Sequence, residues 1–349
     1  MEIKMPKGST LLVSPHFPPH RSGLSDYSYQ FSQELKKHLE VEVITGNNQR
    51  DWKGARLLSR FCRILSSDSD TLLIQYVPYM YGKRGINLQF PLLIFFYSLF
   101  KRKKIHLMVH EYNYPNLGDL KSCVLFSIHQ IMGKFLLLAS DHIFCSTKMF
   151  VELLRPKSLC PVSHLPVGSN ILKEDISDDK CSSLGLKKGE YACLFGSFHS
   201  SKKQELILEE LLPFNIPVVH IGVTDSDYEN LKHLGAEKII KTGFLEDREV
   251  AEIISNSKVL LTYFIDGATL RRGSLLAGIE LGCPVLTNSS SYTEKELLSC
   301  KNIRFSKNIE EYREGLKALI QGEYRPYRGE NPFSWGRIVS DYLARCVGR

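Results

Sequence analysis

Short apolar segments alternate with amphipathic ones along most of this chain. In its first half, five mostly apolar runs have the length of β-strands, at residues 10–14, 41–45, 71–77, 105–110 and 142–146. Several runs are apolar without interruption, which is typical of strands in a parallel sheet that helices cover on both faces. The pattern therefore predicts an α/β fold.

The segment between the first two predicted strands has the periodicity of a helix. Tyr27, Phe31, Leu35 and Leu39 recur every four residues and so share one face. We expect Ser25 to cap the N-terminus, because a serine hydroxyl accepts hydrogen bonds from the free amides of a first turn. The resulting strand–helix–strand unit is the building block of a parallel sheet.

A polar, turn-rich stretch at 165–183 interrupts the alternation and predicts a domain boundary. A second α/β series follows. Its predicted strands lie at 191–195, 217–221, 258–263 and 284–287, and its predicted helices lie near 202–212, 246–256 and 273–281.

The chain ends in an amphipathic segment, 332–347, which predicts a last helix. Because one hydrophobic core rarely grows beyond about 250–300 residues, we expect the 349 residues to form two domains. The predicted boundaries are 1–170 for the first domain, 171–330 for the second and 331–349 for the C-terminal helix.

Composition and charge are those of a soluble protein, with 43% apolar residues, 24% charged residues and a net charge of +7. This mild positive charge suits anionic small ligands or an anionic membrane surface. We expect no nucleic-acid partner, because the chain has no basic stripe with interleaved aromatic residues. Nine cysteines without a CxxC pair or zinc spacing indicate the reducing cytoplasm, and the N-terminus has no signal-peptide pattern.

Residues 90–104 combine an apolar run with four consecutive cations. Two interpretations stay open, a core helix with a solvated basic end and a helix that lies on a membrane surface. Residues 120–138 are also apolar-rich, but Lys121, His129 and Lys134 interrupt them. They predict an amphipathic helix rather than a membrane span.

A candidate anion site lies at 264–288. An apolar strand runs into a glycine-containing loop, Arg271 and Arg272 follow, and Gly273 and Ser274 open a helix. The free N–H groups of a helix start carry about half a positive charge, so a phosphate binds there readily. The alternative is an ordinary strand–helix–strand unit with two solvated arginines.

The loop after the first strand, PHFPPHRSGLSD, is long and contains Gly23. Ligands of open α/β sheets bind beyond the carboxyl ends of the strands, where this loop is expected to lie. The chain contains no GxGxxG fingerprint. Its absence argues against a nicotinamide or flavin enzyme.

An ordered set of motifs resembles the GT-B glycosyltransferases of family 4, also called group 1. In chain order the motifs are LLVSPHFPPHRSGLSDYSYQFSQELKKHLEVEVITG, VHEYN, HLPVGSN, TGFLEDREVAEIISNSKVLLTYF, GSLLAGIELGCPVLTN and FSWGRIVSDYL. The resemblance covers nearly the whole chain. It implies two Rossmann-like, doubly wound domains with a cleft between them, an N-terminal acceptor domain, a C-terminal donor domain, and a last helix that packs back on the first domain.

The resemblance also implies an activity. The chain is expected to be a hexosyltransferase-like enzyme of polysaccharide biosynthesis that moves a sugar from a nucleotide-sugar, a UDP-sugar, to a glycan or lipid-linked acceptor. Retention of configuration, independence from metal and the absence of a separate cofactor are implied as well. The expected location is the cytoplasm, at the inner face of the membrane, with peripheral contact through 90–104.

Residue roles follow from matching this chain to the family's motifs. His110 is placed near the anomeric carbon or the acceptor, and an inverting enzyme would use Asp26, His110 or Glu111 as its base. Phe244 and Leu245 would flank the nucleotide base through backbone contacts. The remaining donor-site candidates are Gly23, Gly196, Lys202, Lys203, Asp266, Arg271, Arg272, Gly273 and Ser274.

The chain departs from the family in two places. Ser197 replaces the arginine that usually follows the glycine at 196, so Lys202 or Lys203 would supply the cation. The family's two glutamates, separated by seven residues, are missing, although Asp266 stands near the first. These departures leave two alternatives, a sugar-nucleotide 2-epimerase on the same fold and a catalytically degenerate binding subunit.

Overall fold

The computed structural model describes residues 8–20, 22–100, 103–112, 118–173, 179–199, 202–234, 239–323 and 325–347. The chain divides into two compact units. The first unit comprises Met1–Val167 together with Trp335–Arg349, and the second comprises Gly168–Ser334.

Twelve strands are present in the described residues. They are β1 (Ser9–Ser14), β2 (Glu40–Thr45), β3 (Thr71–Tyr76), β4 (Lys104–Val109), β5 (His142–Cys145), β6 (Val162–His164), β7 (Ala192–Phe195), β8 (Val218–Ile221), β9 (Ile239–Lys241), β10 (Val259–Leu261), β11 (Val285–Asn288) and β12 (Ile303–Ser306). Each of the two units contains one sheet of six parallel strands.

Thirteen α-helices occur in the same described ranges, besides short 3-10 turns. They are α1 (Gly23–Lys36), α2 (Gly54–Ser66), α3 (Pro78–Tyr81), α4 (Gln89–Leu99), α5 (Leu120–Ala139), α6 (Lys148–Leu154), α7 (Asp179–Ser183), α8 (Gln204–Leu211), α9 (Asp247–Asn256), α10 (Gly273–Glu280), α11 (Lys295–Leu298), α12 (Ile309–Gln321) and α13 (Trp335–Val347).

The α/β prediction is confirmed, and every predicted strand is present. Three strands were missed, β6, β9 and β12, and each lies at an edge of its sheet. Their sequences, VSH, IIK and IRFS, are short, and all three carry polar residues because an edge strand is only partly covered. Central strands such as β1 and β3 are buried almost throughout, which is why apolar runs reveal them.

The strand order identifies where each sheet reverses direction. The first sheet runs β2-β1-β3-β4-β5-β6, and the second runs β12-β11-β10-β7-β8-β9. In the first sheet, β2 lies on one side of β1, and β3 lies on the other side. In the second sheet, β8 lies on one side of β7, and β10 lies on the other side. Ligands of doubly wound sheets bind beyond the carboxyl ends of such strand pairs. The loops after these strands are therefore the places to examine in each unit.

Helix α1 begins earlier than its predicted cap. Ser22, with an extended backbone, is the N-cap, and its hydroxyl accepts a hydrogen bond from Ser25 N at 3.2 Å. The prediction of Ser25 as the cap is wrong, because Gly23 already has helical geometry and Ser25 is buried in the first turn. The predicted apolar face is present, and Tyr27, Phe31 and Leu35 are buried.

The C-terminal helix α13 belongs to the first unit and packs against α1. Trp335 lies edge-on to Tyr27, with ring centroids 5.3 Å apart, and Tyr342 lies edge-on to Phe31 at 5.4 Å. Tyr342 also places its hydroxyl 2.9 Å from Nδ1 of His106 in β4. The last helix is thus part of the core of the first unit.

Helices α4 and α5 pack against each other, with Phe95 and Phe135 in contact at 5.4 Å between ring centroids. The interpretation of residues 90–104 as a core helix with a solvated basic end does not hold at Lys103. This residue is 8% exposed, and its Nζ donates to the carbonyls of Ser67 and Ser69. Residues 101 and 102 lie outside the described residues.

Candidate functional site

The carboxyl end of β7 turns sharply at Gly196. Its φ of 102° lies in a region that favours glycine, and a Cβ there would stand 2.6 Å from the Lys202 Nζ. Two buried side chains hold this turn in place through the carbonyl of Gly196. Gln204 Nε2 donates to the carbonyl of Gly196 at 3.1 Å, and Nε2 of His220 lies 3.0 Å from the same oxygen. The backbone is therefore held close to the lysine.

The structure separates the two candidate lysines. Lys202 reaches back over the turn, and its Nζ donates to Ser197 O at 3.1 Å. Burial lowers the pKa of Lys202, and the nearby charge of Arg272 lowers it further. Lys203 is exposed and occupies the left-handed N-cap position of α8, with φ of 45°. Of the two, Lys202 is the one brought to the arginines.

The loop after β10 gathers Asp266, Arg271 and Arg272. Arg271 Nη2 donates to Asp266 Oδ2 at 2.9 Å, and Arg272 Nη2 donates to the other carboxylate oxygen. The guanidinium of Arg272 also lies over the ring of Phe264, with 4.6 Å between Cζ and the ring centroid. Burial and the charge of Arg271 lower the pKa of Arg272. This loop therefore concentrates positive charge in a partly desolvated place.

Side chains at the end of β11 and after it hold this loop in place. Asn288 exchanges hydrogen bonds of 2.8 Å with the N–H and carbonyl of Phe264. Ser290 Oγ donates to the carbonyl of Asp266 at 2.6 Å, and Glu294 Oε2 accepts from Leu270 N at 3.1 Å. The backbone that carries the charged side chains is thus fixed by groups outside the loop.

Helix α10 begins directly after Arg272 and, in the part of the chain that the structure describes, has no side-chain cap at its N-terminus. The space in front of Gly273 is open, since no described atom lies within 4 Å of the position a Cβ would take. Ser274, Lys202, Phe264 and Thr262 line a pocket of about 220 Å³ that includes space open to solvent. Lys202 and the uncapped start of α10 at Ser274 therefore adjoin one pocket, and Arg272 precedes that start in the chain.

In the first unit, the corresponding loop after β1 leads into α1. Gly23 opens that helix and is exposed, and no described atom lies within 4 Å of a Cβ built on it. Asp26 is exposed in the first turn. His16 and His20 stack at 3.8 Å between ring centroids, and burial together with His20 lowers the pKa of His16. Arg21 lies outside the described residues.

His110 follows β4 and is held on two sides. Its Nε2 lies 2.7 Å from Oε1 of Gln75, and the ring of Tyr27 meets it edge-on at 4.5 Å between centroids. Part of its surface is accessible, but the surrounding side chains desolvate the ring and lower its pKa to about 3. His110 is therefore neutral near pH 7. The neighbouring Glu111 is partly exposed.

The predicted base-flanking residues follow β9. Phe244 is 77% exposed, so its ring is available to a ligand, and Leu245 is partly exposed before α9. No group of three or more His, Cys, Asp or Glu side chains is arranged to hold a metal ion within the described ranges.

Several residues of this site were not singled out from the sequence. Gln204, His220, Asn288 and Glu294 are buried polar residues that position the loops. A histidine within the apolar strand VVHI and a polar residue directly after a strand were the available signals. Their partners lie far along the chain, so their roles could not be assigned from spacing.

Comparisons with known proteins address the architecture. No family model matches the chain, and no curated protein matches it. Among solved structures, sucrose-phosphate synthase from Thermosynechococcus elongatus aligns with a TM-score of 0.68 at 13% identity, covering 98% of this chain and 99% of that one.

Two further structures align over nearly the whole chain. WaaG, a glycosyltransferase involved in lipopolysaccharide biosynthesis, has a TM-score of 0.59 at 13% identity, with 96% of this chain and 95% of that one covered. UDP-GlcNAc 2-epimerase from Methanocaldococcus jannaschii has a TM-score of 0.57 at 12% identity, with 98% and 99% covered. At these identities the likeness concerns the fold. The chain thus has the GT-B fold, with two Rossmann-like units that each contain a six-stranded parallel sheet.

Proposed function

We propose that this protein is a retaining, metal-independent glycosyltransferase that uses a nucleotide-sugar donor, a UDP-sugar, and a saccharide or lipid-linked acceptor. The observation that carries the proposal is the convergence of Lys202, Arg271 and Arg272 on the uncapped start of α10. A diphosphate is the ligand that matches clustered cations and free helix amides. Neighbours of the same fold are glycosyltransferases and UDP-GlcNAc 2-epimerases.

The site would act on the leaving group. When the bond between the anomeric carbon and the diphosphate breaks, the phosphate oxygen gains negative charge. Lys202, Arg272 and the amides of Gly273 and Ser274 are fixed donors for that charge, so they need little reorganisation. In a retaining reaction the acceptor attacks from the leaving-group side, and the departing phosphate oxygen takes the acceptor proton.

The properties of His110 favour a hydrogen-bonding role over that of a general base. A ring whose pKa is about 3 is a weak proton acceptor near neutral pH. With Nε2–H directed to Gln75, its Nδ1 is an acceptor for a sugar or acceptor hydroxyl. Asp26 and Glu111 remain the candidates for a base if the enzyme inverts.

Calorimetric titration with UDP, GDP, ADP and UDP-sugars tests the donor site, with and without EDTA. One nucleotide should bind with or without EDTA, and the double variant Arg271→Ala/Arg272→Ala should lose that binding. Arg313→Ala/Arg325→Ala removes two guanidinium groups that pair with Glu210 and Glu323, and serves as the charge-matched control. If none of the nucleotides binds the native protein, the transferase proposal is wrong.

A 2-epimerase is the second candidate, because several structures of UDP-GlcNAc 2-epimerases share this fold. An epimerase converts its sugar nucleotide without an acceptor. Incubation of the protein with UDP-sugars alone, followed by product analysis, separates the two activities. Formation of an epimeric sugar would favour the epimerase, whereas transfer only after addition of an acceptor would favour the transferase.

We also propose that the protein works in the cytoplasm at the inner face of the membrane, and that α4 and α5 provide the contact. Phe96, Leu99 and Phe100 are 56%, 58% and 86% exposed and share one face of the α4 segment. Leu120, Val124, Ile131 and Leu138 form an exposed stripe along α5. We call these seven residues the apolar surface. An anionic bilayer is their proposed partner.

Charge supports this choice of partner. Neither α4 nor α5 contains an acidic residue, and the charged side chains of α5 are Lys121 and Lys134. Cations beside exposed apolar residues favour an anionic lipid surface. Helix α5 has the length and apolarity of a membrane span, but 44% of its apolar window is buried inside the first unit, as in a core helix. We therefore propose surface contact.

Flotation with anionic and with zwitterionic vesicles tests this surface. Leu99→Ser/Phe100→Ser should reduce binding to anionic vesicles about tenfold, since two exposed apolar side chains are removed. Leu212→Ser/Leu298→Ser, which alters two exposed leucines of the second unit, is the matched control. Equal binding by the native protein and the surface variant would contradict the proposal.

A further inference from the structure

The Asp266 carboxylate occupies both arginines of the anion site. Its Oδ2 accepts from Arg271 Nη2 at 2.9 Å, and its Oδ1 accepts from Arg272 Nη2. The three side chains are only partly exposed, at 32% for Asp266, 31% for Arg271 and 15% for Arg272. Ion pairs with this degree of burial are stronger than those on an open surface. A negative group of the protein is thus bound where a phosphate is expected.

The backbone under this carboxylate is fixed. Ser290 Oγ donates to the Asp266 carbonyl, and the N–H of Gly267 bonds the carbonyl of Phe264 at 3.1 Å. Gly267 has φ of 79°, and a Cβ there would stand 2.5 Å from the Ser290 hydroxyl. Because the backbone is held in this turn, the arginines are released by side-chain rotation rather than by movement of the Asp266 backbone.

One carboxylate does not satisfy all the positive groups present. Lys202, Arg271 and Arg272 bring three cations, while Asp266 is their single ion-pairing partner among the described residues. The Nε of Arg272 is buried and has no hydrogen-bond partner in the same described ranges. The start of α10 adds free amides. An incoming anion therefore finds donors that Asp266 does not use.

We propose that Asp266 is an internal competitor for the anion site, which a diphosphate must displace from Arg271 and Arg272. The inference rests on the proposed nucleotide-sugar site and adds a specificity device to it. A ligand with two linked phosphates can engage Lys202 and the α10 amides while it replaces the carboxylate. A single phosphate offers fewer contacts against the same competitor. Asp266 thereby favours diphosphate ligands over orthophosphate, which is abundant in cells.

This role differs from a contact with the donor sugar. A sugar-binding aspartate would raise affinity for UDP-sugars and have no attractive effect on inorganic pyrophosphate. A competitor lowers the affinity for every anion, whether or not a sugar is attached. Inorganic pyrophosphate is therefore the probe that separates the two roles.

The test is calorimetry of the full chain with inorganic pyrophosphate, orthophosphate and UDP at constant ionic strength. Asp266→Asn keeps the shape of the side chain but removes its charge, and should bind pyrophosphate about fivefold more tightly. The relative gain should be larger for orthophosphate, because this ligand has fewer other contacts to set against the competitor. Glu210→Gln breaks the pair with Arg313 and makes the same change of net charge elsewhere in the second unit. It should bind like the native protein.

Two results would overturn the inference, and they are distinguishable. If the native protein binds UDP, the double arginine variant does not, and Asp266→Asn binds pyrophosphate no more tightly than the native protein, the competitor is excluded while the donor site stands. If neither the native protein nor Asp266→Asn binds pyrophosphate or UDP, the competitor and the proposed function are both wrong. Circular dichroism of each variant confirms that the comparison is made on folded protein.

Discussion

The two units present different chemistry at equivalent positions. Both have a six-stranded parallel sheet, and in both the loops of interest follow the strands where the sheet reverses. In the second unit those loops carry Lys202, Arg272 and Asp266, charges that are held close together. In the first unit the loop after β1 leads into α1, where Tyr27 contacts the neutral ring of His110, which follows β4.

This difference suits the two tasks of the proposed transfer reaction. Stabilising a leaving diphosphate requires fixed positive charge, and partial burial makes that charge effective. Orienting hydroxyls of a sugar or acceptor requires neutral hydrogen-bonding groups of fixed geometry. His110 meets that requirement because Gln75 and Tyr27 hold its ring. Three experiments test this contrast between the units.

The largest effect is expected from Trp335→Ala. Trp335 is 6% exposed and supports Tyr27, which in turn contacts His110. Removal of a buried tryptophan should lower the free energy of unfolding by about 3–5 kcal/mol. Urea unfolding measures this loss, and Trp335→Phe should recover part of it.

The Trp335→Ala variant should keep native UDP affinity while folded, because the charged loops belong to the second unit. A parallel loss of UDP affinity would break the contrast between the units.

The next effect separates the two lysines. Lys202→Ala should weaken UDP binding about thirtyfold, ~2 kcal/mol, because its Nζ lies over the Gly196 turn beside Arg272. Lys203→Ala makes the same charge change at an exposed helix start and should alter the affinity less than about threefold. Calorimetric titration with UDP measures the affinity of each variant. Equal losses would show that net charge, rather than placement, controls binding.

The smallest effect concerns a histidine that burial keeps neutral, which each of the two units contains. Burial lowers the pKa of His110 to about 3 and that of His220 to about 4, so both are neutral in the folded protein near neutral pH. An unfolded histidine takes up a proton below its ordinary value of about 6.5. The contribution of these neutral histidines to the free energy of unfolding is therefore complete above about pH 6.5, and it falls as the pH drops towards 4. At pH 6 each histidine should reduce the free energy of unfolding by about 1 kcal/mol relative to pH 8.

Urea unfolding at pH 8 and pH 6 measures this dependence. His110→Gln and His220→Gln should each show a smaller pH-dependent loss than the native protein, and the double variant the smallest. An unchanged loss in His110→Gln would mean that this ring is not held neutral by the first unit.

The hydrophobic pattern was sufficient to predict the class of fold and the central strands of both sheets. A central strand such as β10, VLL, is buried and apolar throughout, and that constraint is local. The edge strands β6, β9 and β12 were not predicted, because backbone pairing with a neighbour, rather than burial, defines them. The cap of α1 was misplaced because several serines near its start could serve equally, and backbone geometry selected Ser22.

In the candidate anion site, too, some features are visible in the sequence and others arise only on folding. Sequence alone determined that two arginines precede a helix start and that a glycine ends the first strand of the second series, since these are neighbours along the chain. Only the tertiary structure decided that Lys202 rather than Lys203 faces Arg272, that Asp266 occupies both arginines, and that Gln204 and His220 hold Gly196. Those contacts join separate strands and loops, and their energies depend on distance and burial in space, which residue spacing does not encode.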